Sequence, residues 1–306
     1  MRLVFAGTPA AAIPTLRTLA LSHEIAAVVT RPDAPLGRKR VLTPSPVAQA
    51  AAELGLPIIK AARLDDEATG RIAALRPELG VIVAYGGLVR EPLLSTPEHG
   101  WINLHFSLLP QWRGAAPVQR ALIAGDAELG VSVFQLVAAM DAGDVFASRV
   151  VPLAADATAD LALEVLAQDG AALTADVVAE IAAGTAVAVP QEGDVSLAPK
   201  LAIEDGLLDW TLPLEAVFAR FRGATPEPGA HTTVGELRVK VLDAVPAAAA
   251  EPLAPGEIAS TPRALLIGTA TTPLEVRRVQ PAGKAPMSAT DWWRGFRGDD
   301  TIRAGA

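Results

Sequence analysis

The sequence predicts an α/β domain with a mainly parallel sheet, followed by a small β-barrel domain, and three observations lead there. Over roughly the first two hundred residues, strand-like and helix-like pieces alternate, the pattern of a parallel sheet covered by helices. Beyond residue 204, short apolar runs alternate instead with Gly and Pro turns, a rhythm that suits a small barrel. Between them, over 185–204, periodicity is lost and Pro190, Gly193 and Pro199 interrupt the chain, as in a linker. The expected organisation is a domain over 1–188, a linker over 189–205 and a second domain over 206–306.

Each element has its own signal. Apolar runs at 3–6, 24–29, 57–59 and 80–84 predict strands, and Ala- and Leu-rich segments at helical spacing predict helices over 9–22, 46–54 and 65–75. Pro9 suits a first helical turn, where its missing N–H costs little. A strand over 101–106 leads through a turn to a helix over 116–123, and the sheet continues through 131–136 and 145–151. An Ala-rich helix pair over about 158–183 closes this domain. In the second domain a helix over 214–222 precedes strands at 237–242, 256–260, 265–268 and 274–279. The Ala-rich stretch 244–250 is expected to be a flexible loop, and Trp292-Trp293 a packing anchor on a final helix.

Composition removes several function classes. At 306 residues with 51% hydrophobic and 20% charged content, the chain suits two well-packed domains. The absence of cysteine rules out disulfides, thiolate zinc sites and a cysteine nucleophile. Four scattered histidines, at 23, 99, 105 and 231, make an imidazole-rich metal site unexpected. Apolar runs stop short of the roughly 20 residues a membrane helix needs, and the run at 3–6 is too short for a signal peptide. A soluble, cytoplasmic protein is expected. A net charge of −8 argues against non-specific coating of nucleic acid. Yet residues 31–40 hold four basic side chains, Arg31, Arg38, Lys39 and Arg40, against the single acid Asp33 in a Pro/Gly-rich loop. Charge alone reads this as a solvated loop, although a basic loop on an acidic body can also grip one polyanion.

The chemistry concentrates in residues 103–119, Asn-Leu-His-Phe-Ser-Leu-Leu-Pro-Gln-Trp-Arg-Gly-Ala-Ala-Pro-Val-Gln, and in Met-Asp-Ala-Gly-Asp at 140–144. Asn103 and His105 stand two apart on one strand and so share a face. Together an amide and an imidazole can donate to a carbonyl oxygen that gains negative charge under nucleophilic attack, as acyl transfer requires. Asp141 follows another strand in a Gly-containing loop that could return its carboxylate to His105, to orient the ring, favour its protonated form or relay a proton. Singly, each is an ordinary strand-end or turn residue; the combination with the turn at 107–110 points to a site. Gly7-Thr8-Pro9 lacks the full Gly-x-Gly-x-x-Gly spacing and no Walker A pattern occurs, so a dinucleotide site is not expected.

These motifs, with Phe5-Ala-Gly-Thr-Pro9, Gly37-Arg38, Pro44-Ser-Pro46, Val83-Ala-Tyr-Gly86, Asp209-Trp210, Pro226-x-Pro-Gly229 and Gln280-Pro-Ala-Gly-Lys284, resemble those of the methionyl-tRNA formyltransferases over essentially the whole chain. The resemblance implies a Rossmann-like N-terminal formyltransferase domain and a C-terminal OB-like barrel. It implies 10-formyltetrahydrofolate as co-substrate, the methionine α-amino group on initiator tRNA as acceptor, no metal and no obligate protein partner. It further implies Asn103, His105 and Asp141 as the catalytic set. From the chemistry of that set, the neutral amine is expected to attack the formyl carbon while Asn103 and a protonated His105 stabilise the oxyanion and Asp141 supports the imidazolium. Folate contacts are expected from Ser107, Leu108, Leu109, Pro110, Tyr85 and Gly86, and acceptor-stem contacts from Arg31, Arg38, Lys39 and Arg40. A folate-dependent transferase or hydrolase acting on a small amine, such as an amino-sugar nucleotide or a glycinamide, would share the same trio. The continuation through Gln119 and the C-terminal barrel favour the tRNA enzyme. A non-catalytic tRNA-binding module is disfavoured by the intact trio, and a dinucleotide oxidoreductase by the missing glycine fingerprint. For the basic loop, Arg38→Ala is expected to raise KM for tRNA more than it lowers kcat, with a shallower salt dependence. An unchanged KM and salt slope would take the loop out of the binding surface.

Overall fold

The computed structural model describes residues 1–37, 40–296 and 302–305. The chain divides into two units, one of residues 1–117, 128–152 and 163–198, the other of 118–127, 153–162 and 199–306. In chain order the elements are β1 (Arg2–Gly7), α1 (Ile13–Ala20), β2 (Glu24–Thr30), β3 (Ala34–Leu36), β4 (Val41–Thr43), α2 (Pro46–Glu53), β5 (Ile58–Lys60), α3 (Asp66–Ala74) and β6 (Leu79–Val83). They continue with β7 (Trp101–His105), β8 (Arg113–Gly114), α4 (Pro117–Ala124), β9 (Leu129–Gln135), β10 (Val145–Val151), α5 (Ala159–Ala183) and β11 (Leu197–Ala198).

Among the described residues of the first unit, seven strands form one sheet in the order β10-β9-β7-β6-β1-β2-β5. The neighbours from β7 to β5 pair in parallel, and β9 and β10 are antiparallel. The mainly parallel sheet expected from the alternation is therefore present, and β7 lies where it turns antiparallel. Leu3, Val4, Phe5 and Ala6 are all fully buried, as a central strand covered on both faces demands. Trp101 opposes Gly80 in register, is fully buried and donates its Nε1–H to the Leu93 carbonyl at 2.8 Å. The helices start where their caps permit. Ser45 Oγ accepts the Ala48 N–H at 3.0 Å ahead of α2, and Asp65 Oδ1 accepts the Ala68 N–H at 3.0 Å ahead of α3. Each cap of this kind contributes about 1 kcal/mol.

Three expectations change. The helix expected over 9–22 opens as a 3-10 turn at Ala10–Ala12 before α1. The helix pair expected over 158–183 is one helix, α5. Within it, Gly170 leaves the space that Leu104 fills, only 2.8 Å from an added Cβ, and Thr174 donates to its carbonyl at 2.7 Å. The stretch expected as a linker also folds: residues 189–198 belong to the first unit, and β11 pairs in parallel with β8.

The second unit carries α6 (Leu214–Ala224), β12 (His231–Val234), β13 (Leu237–Pro246), β14 (Ile258–Ser260), β15 (Leu265–Ile267), β16 (Leu274–Pro281), β17 (Met287–Ser288) and α7 (Ala289–Gly295). Its sheet has the order β12-β13-β16-β15-β14, with β17 also on β16 and every pairing antiparallel. Arg303 bridges to Glu257 beside β14 and Ala304 to Val234 in β12. The tail thus links the two outer strands, the connection a small barrel requires. Ala244 to Pro246 continue β13 against Leu274 to Val276, so the first three residues of the expected flexible loop are strand; cross-strand pairing overrides its plain Ala composition. Trp292 lies in this unit's core, and Trp293 stacks on Phe296 with ring centroids 5.4 Å apart, the packing role expected of the pair.

Candidate functional site

His105 ends β7 and Asn103 precedes it by two residues, so the strand's alternation delivers both to one cavity of about 380 Å³ in the first unit. Its walls come from segments 84–89, 103–106 and 136–141, with Gly114, Ala115 and Pro117. The volume is that of a small-molecule site. Asp141 also lines it, carried by the loop that leaves β9 at Gln135. That loop turns back closely: Gln135 donates its N–H to the Asp144 carbonyl at 2.8 Å, and a Cβ on Gly143 would sit 1.8 Å from the Gln135 carbonyl oxygen. Only glycine fits there.

The imidazole is buried, and its two nitrogens have different neighbours. Nε2 lies 2.9 Å from the Trp112 carbonyl, to which it can only donate. Nδ1 faces the Asp141 carboxylate, 3.9 Å from Oδ2. Oδ2 is itself fixed by the Gly114 N–H at 2.7 Å. Burial pushes the His105 pKa below the ordinary imidazole value, outweighing Asp141 and the Trp112 carbonyl, which both raise it. Burial thus favours the neutral ring, and in that form the Trp112 carbonyl places the proton on Nε2 and leaves a lone pair on Nδ1. Among the described residues, no group hydrogen-bonds the half-buried Asn103 side chain, which leaves its N–H donors to the cavity. Ala84, Trp112 and Asp141 hold left-handed φ values of 47°, 61° and 48° around the site. Such conformations cost about 1–3 kcal/mol each and gather where function needs them.

His105 should accordingly titrate below about 6.5 in the free protein. Asp141→Asn, by removing an opposing charge, should move it lower still. Ring C–H shifts followed by NMR across pH check both statements, and a value above the ordinary one would contradict the neutral resting state. The same shift favours the fold above the ordinary value, and the contribution is lost as pH falls below it, because the unfolded chain takes up the proton first.

The other predicted residues divide. Tyr85 and Gly86 line the cavity, but the Tyr85 hydroxyl donates to the Ala61 carbonyl at 2.9 Å and its own carbonyl accepts from Thr8 at 3.1 Å. Tyr85 is thus a buried wall with no free polar group at its tip. Ser107, Leu108, Leu109 and Pro110 are not among the lining residues. The Ser107 hydroxyl donates to the Gln111 carbonyl at 2.6 Å, and Ser132 Oγ bridges the Ser107 carbonyl and the Leu109 N–H at 2.8 and 3.1 Å, which fixes the turn against β9. Arg31 departs from the basic loop: it donates to the Ala62 carbonyl at 2.7 Å and to the Gly86 carbonyl, and stacks over Tyr85 at 5.6 Å. It braces the cavity wall. Arg40 is exposed beside the β3–β4 hairpin, whose Leu36, Val41 and Leu42 are also exposed. Arg38 and Lys39 lie outside the described residues.

Sequence reasoning missed the apolar walls Leu88 and Val137 to Ala139, and it missed Gln191. The walls sit in loops without periodicity. Gln191 lies in the stretch read as a linker, yet its amide N–H groups donate to the Asp141 and Gly143 carbonyls at 2.9 and 2.8 Å.

Comparison with known proteins gives this geometry a family context. The formyl transferase family model matches residues 1–178, and the formyl transferase C-terminal domain model matches residues 200–297. A methionyl-tRNA formyltransferase of Clavibacter sepedonicus is 60% identical over 303 residues, covering 99% of each chain. An N-formyltransferase of Helicobacter canadensis, solved with folinic acid and dTDP-3-aminofucose, superposes with a TM-score of 0.69 at 15% identity, over 90% of this chain and 98% of its own. A methionyl-tRNA formyltransferase of Clostridium thermocellum superposes with a TM-score of 0.57 at 16% identity, over 80% of this chain and 93% of its own. At such identities the two structures speak to the fold alone.

Proposed function

Since the chain belongs to the methionyl-tRNA formyltransferase family, we propose that its β7 cavity moves the formyl group of 10-formyltetrahydrofolate to the methionine α-amino group of initiator methionyl-tRNA. The single observation that carries the chemistry is the convergence of Asn103, His105 and Asp141 on one cavity.

The roles follow from protonation and geometry. The neutral amine attacks the formyl carbon, and the oxygen becomes an oxyanion to which the Asn103 amide donates. The amine's proton passes to His105 Nδ1, and the resulting imidazolium is stabilised by Asp141, already 3.9 Å away. As the carbon–nitrogen bond to folate breaks, Nδ1 returns the proton to the departing nitrogen. The formamide forms, folate leaves protonated, and His105 ends neutral as it began. Segments 84–89 and 136–141 supply the apolar walls for the folate, and Tyr85 and Gly86 act through their backbone and ring surface.

For the acceptor, the exposed β3–β4 hairpin with Arg40 meets the tRNA acceptor stem, Arg38 and Lys39 being assigned to the same contact from the sequence alone, and the C-terminal barrel, which we read as OB-like, provides further tRNA surface. Folate binding and catalysis belong to the N-terminal domain, together with residues 189–198 that fold with it, tRNA binding belongs to 206–306, and the setting is the cytoplasm. The deciding experiment is formyl transfer from 10-formyltetrahydrofolate to methionine-charged initiator tRNA, with a charged elongator tRNA and free methionine as controls. Formylation of the initiator alone is expected. Folate binding or hydrolysis without transfer to tRNA would move the activity to a small amine.

A further inference from the structure

We propose that Gln191 is a positioning residue for formyl transfer, its carboxamide tying together the two loops that set the His105–Asp141 pair; this deepens the function proposed above and rests on it. Every hydrogen-bonding valence of the carboxamide is used. The two N–H groups donate to the Asp141 and Gly143 carbonyls at 2.9 and 2.8 Å. The carbonyl oxygen accepts from Arg113 Nε and Nη2 at 3.1 and 2.6 Å. Arg113 lies between Trp112, whose carbonyl fixes His105 Nε2, and Gly114, whose N–H fixes the Asp141 carboxylate. One side chain therefore spans both halves of the constellation.

Gln191 is itself held by a strap of backbone. Val189 and Val145 exchange hydrogen bonds of 2.8 and 3.0 Å. Ser196 accepts the Trp112 N–H on Oγ at 2.8 Å and the Arg113 N–H on its carbonyl at 3.0 Å. The Ala198 carbonyl accepts from Ala115 and Ala116 at 2.9 and 3.1 Å. Gly114, at φ +127°, lets the strap lie this close, since an added Cβ would stand 2.7 Å from the Ala198 carbonyl oxygen. Residues 189–198 fall between the ranges matched by the two domain models, 1–178 and 200–297. Asp141 needs such support, because its left-handed backbone persists only where surrounding contacts impose it. With the carboxylate 3.9 Å from Nδ1, releasing the loop would move the charge away from the ring it stabilises.

The test compares Gln191→Ala with Gln191→Glu. The glutamate keeps an acceptor for Arg113 but offers no N–H to the two carbonyls. Both variants should lose about 10- to 100-fold in kcat at saturating substrates, the penalty of a misplaced catalytic group, while KM for each substrate stays within about twofold. A purely structural role would not move two further readouts. The His105 ring titration should shift down towards that of Asp141→Asn, and Gln191→Ala should cost little extra kcat in the Asp141→Asn background. A kcat within about twofold of wild type in either variant, an unshifted His105 titration, or equal losses in both backgrounds would overturn the proposal. If Gln191→Ala does not fold, Gln191→Glu carries the same comparisons. Failure of the wild type to formylate methionyl-tRNA would instead sink the functional assignment, and the His105 titration in the Gln191 variants would still judge the positioning.

Discussion

His105→Ala should slow single-turnover formylation of methionyl-tRNA by about 10²- to 10⁴-fold, the usual contribution of a positioned acid–base group. The expectation rests on three features together. The ring is buried, its pKa is lowered by that burial, and its Nδ1 faces a carboxylate at 3.9 Å. A neutral imidazole accepts the amine's proton readily, and the nearby carboxylate stabilises the cation only after it has formed. The ring contributes in the transition state and little to ground-state binding, so folate affinity should change hardly at all. Single-turnover kinetics, with folate binding followed by fluorescence, separate the two effects. A loss below tenfold would remove His105 from proton transfer; a loss matched by weaker folate binding would make it a wall of the cavity.

Why some of this arrangement was legible in the sequence and some was not follows from the range of the interactions. Asn103 and His105 could be placed on one face because strand alternation is local, and strands such as β1 announce themselves as unbroken apolar runs. Asp141 could be assigned to a returning loop, but its 3.9 Å approach to His105 depends on Gly143 fitting against the Gln135 carbonyl, which no local pattern reports. Arg31 was grouped with Arg38, Lys39 and Arg40 by charge density. Its engagement with Ala62, Gly86 and Tyr85 arises from segments 31 to 55 positions away, beyond the reach of a local charge count.

The same reasoning explains the errors in the fold. The Ala-rich stretch over 158–183 reads as two helices by composition, whereas it runs as the single helix α5 with Leu104 packed against its Gly170. Residues 189–198 look like a linker because their order comes from pairing with Trp112 to Ala116, not from any period of their own. Ala244 to Pro246 look unstructured until β16 supplies a partner. In each case long-range packing supplies what propensity lacks.

Asn103→Ala should reduce single-turnover formylation by about 10²- to 10³-fold, the typical loss for one preorganised oxyanion donor. The amide lines the cavity and, among the described residues, no protein group hydrogen-bonds it, so its donors are neither spent elsewhere nor in need of reorganisation during the reaction. Truncation leaves the backbone pairing of β7 intact, because Asn103 holds its place through main-chain register with Ile82 and Phe134. Folate affinity should therefore stay close to wild type. Asn103→Asp sharpens the test: it preserves size but presents a carboxylate where negative charge develops, so its loss should equal or exceed that of alanine. A loss below tenfold in Asn103→Ala, or an aspartate variant more active than alanine, would show that the amide does not face the oxyanion. In the double variant with His105→Ala the two losses should combine to less than their product, since one developing oxygen charge and one moving proton belong to the same transition state.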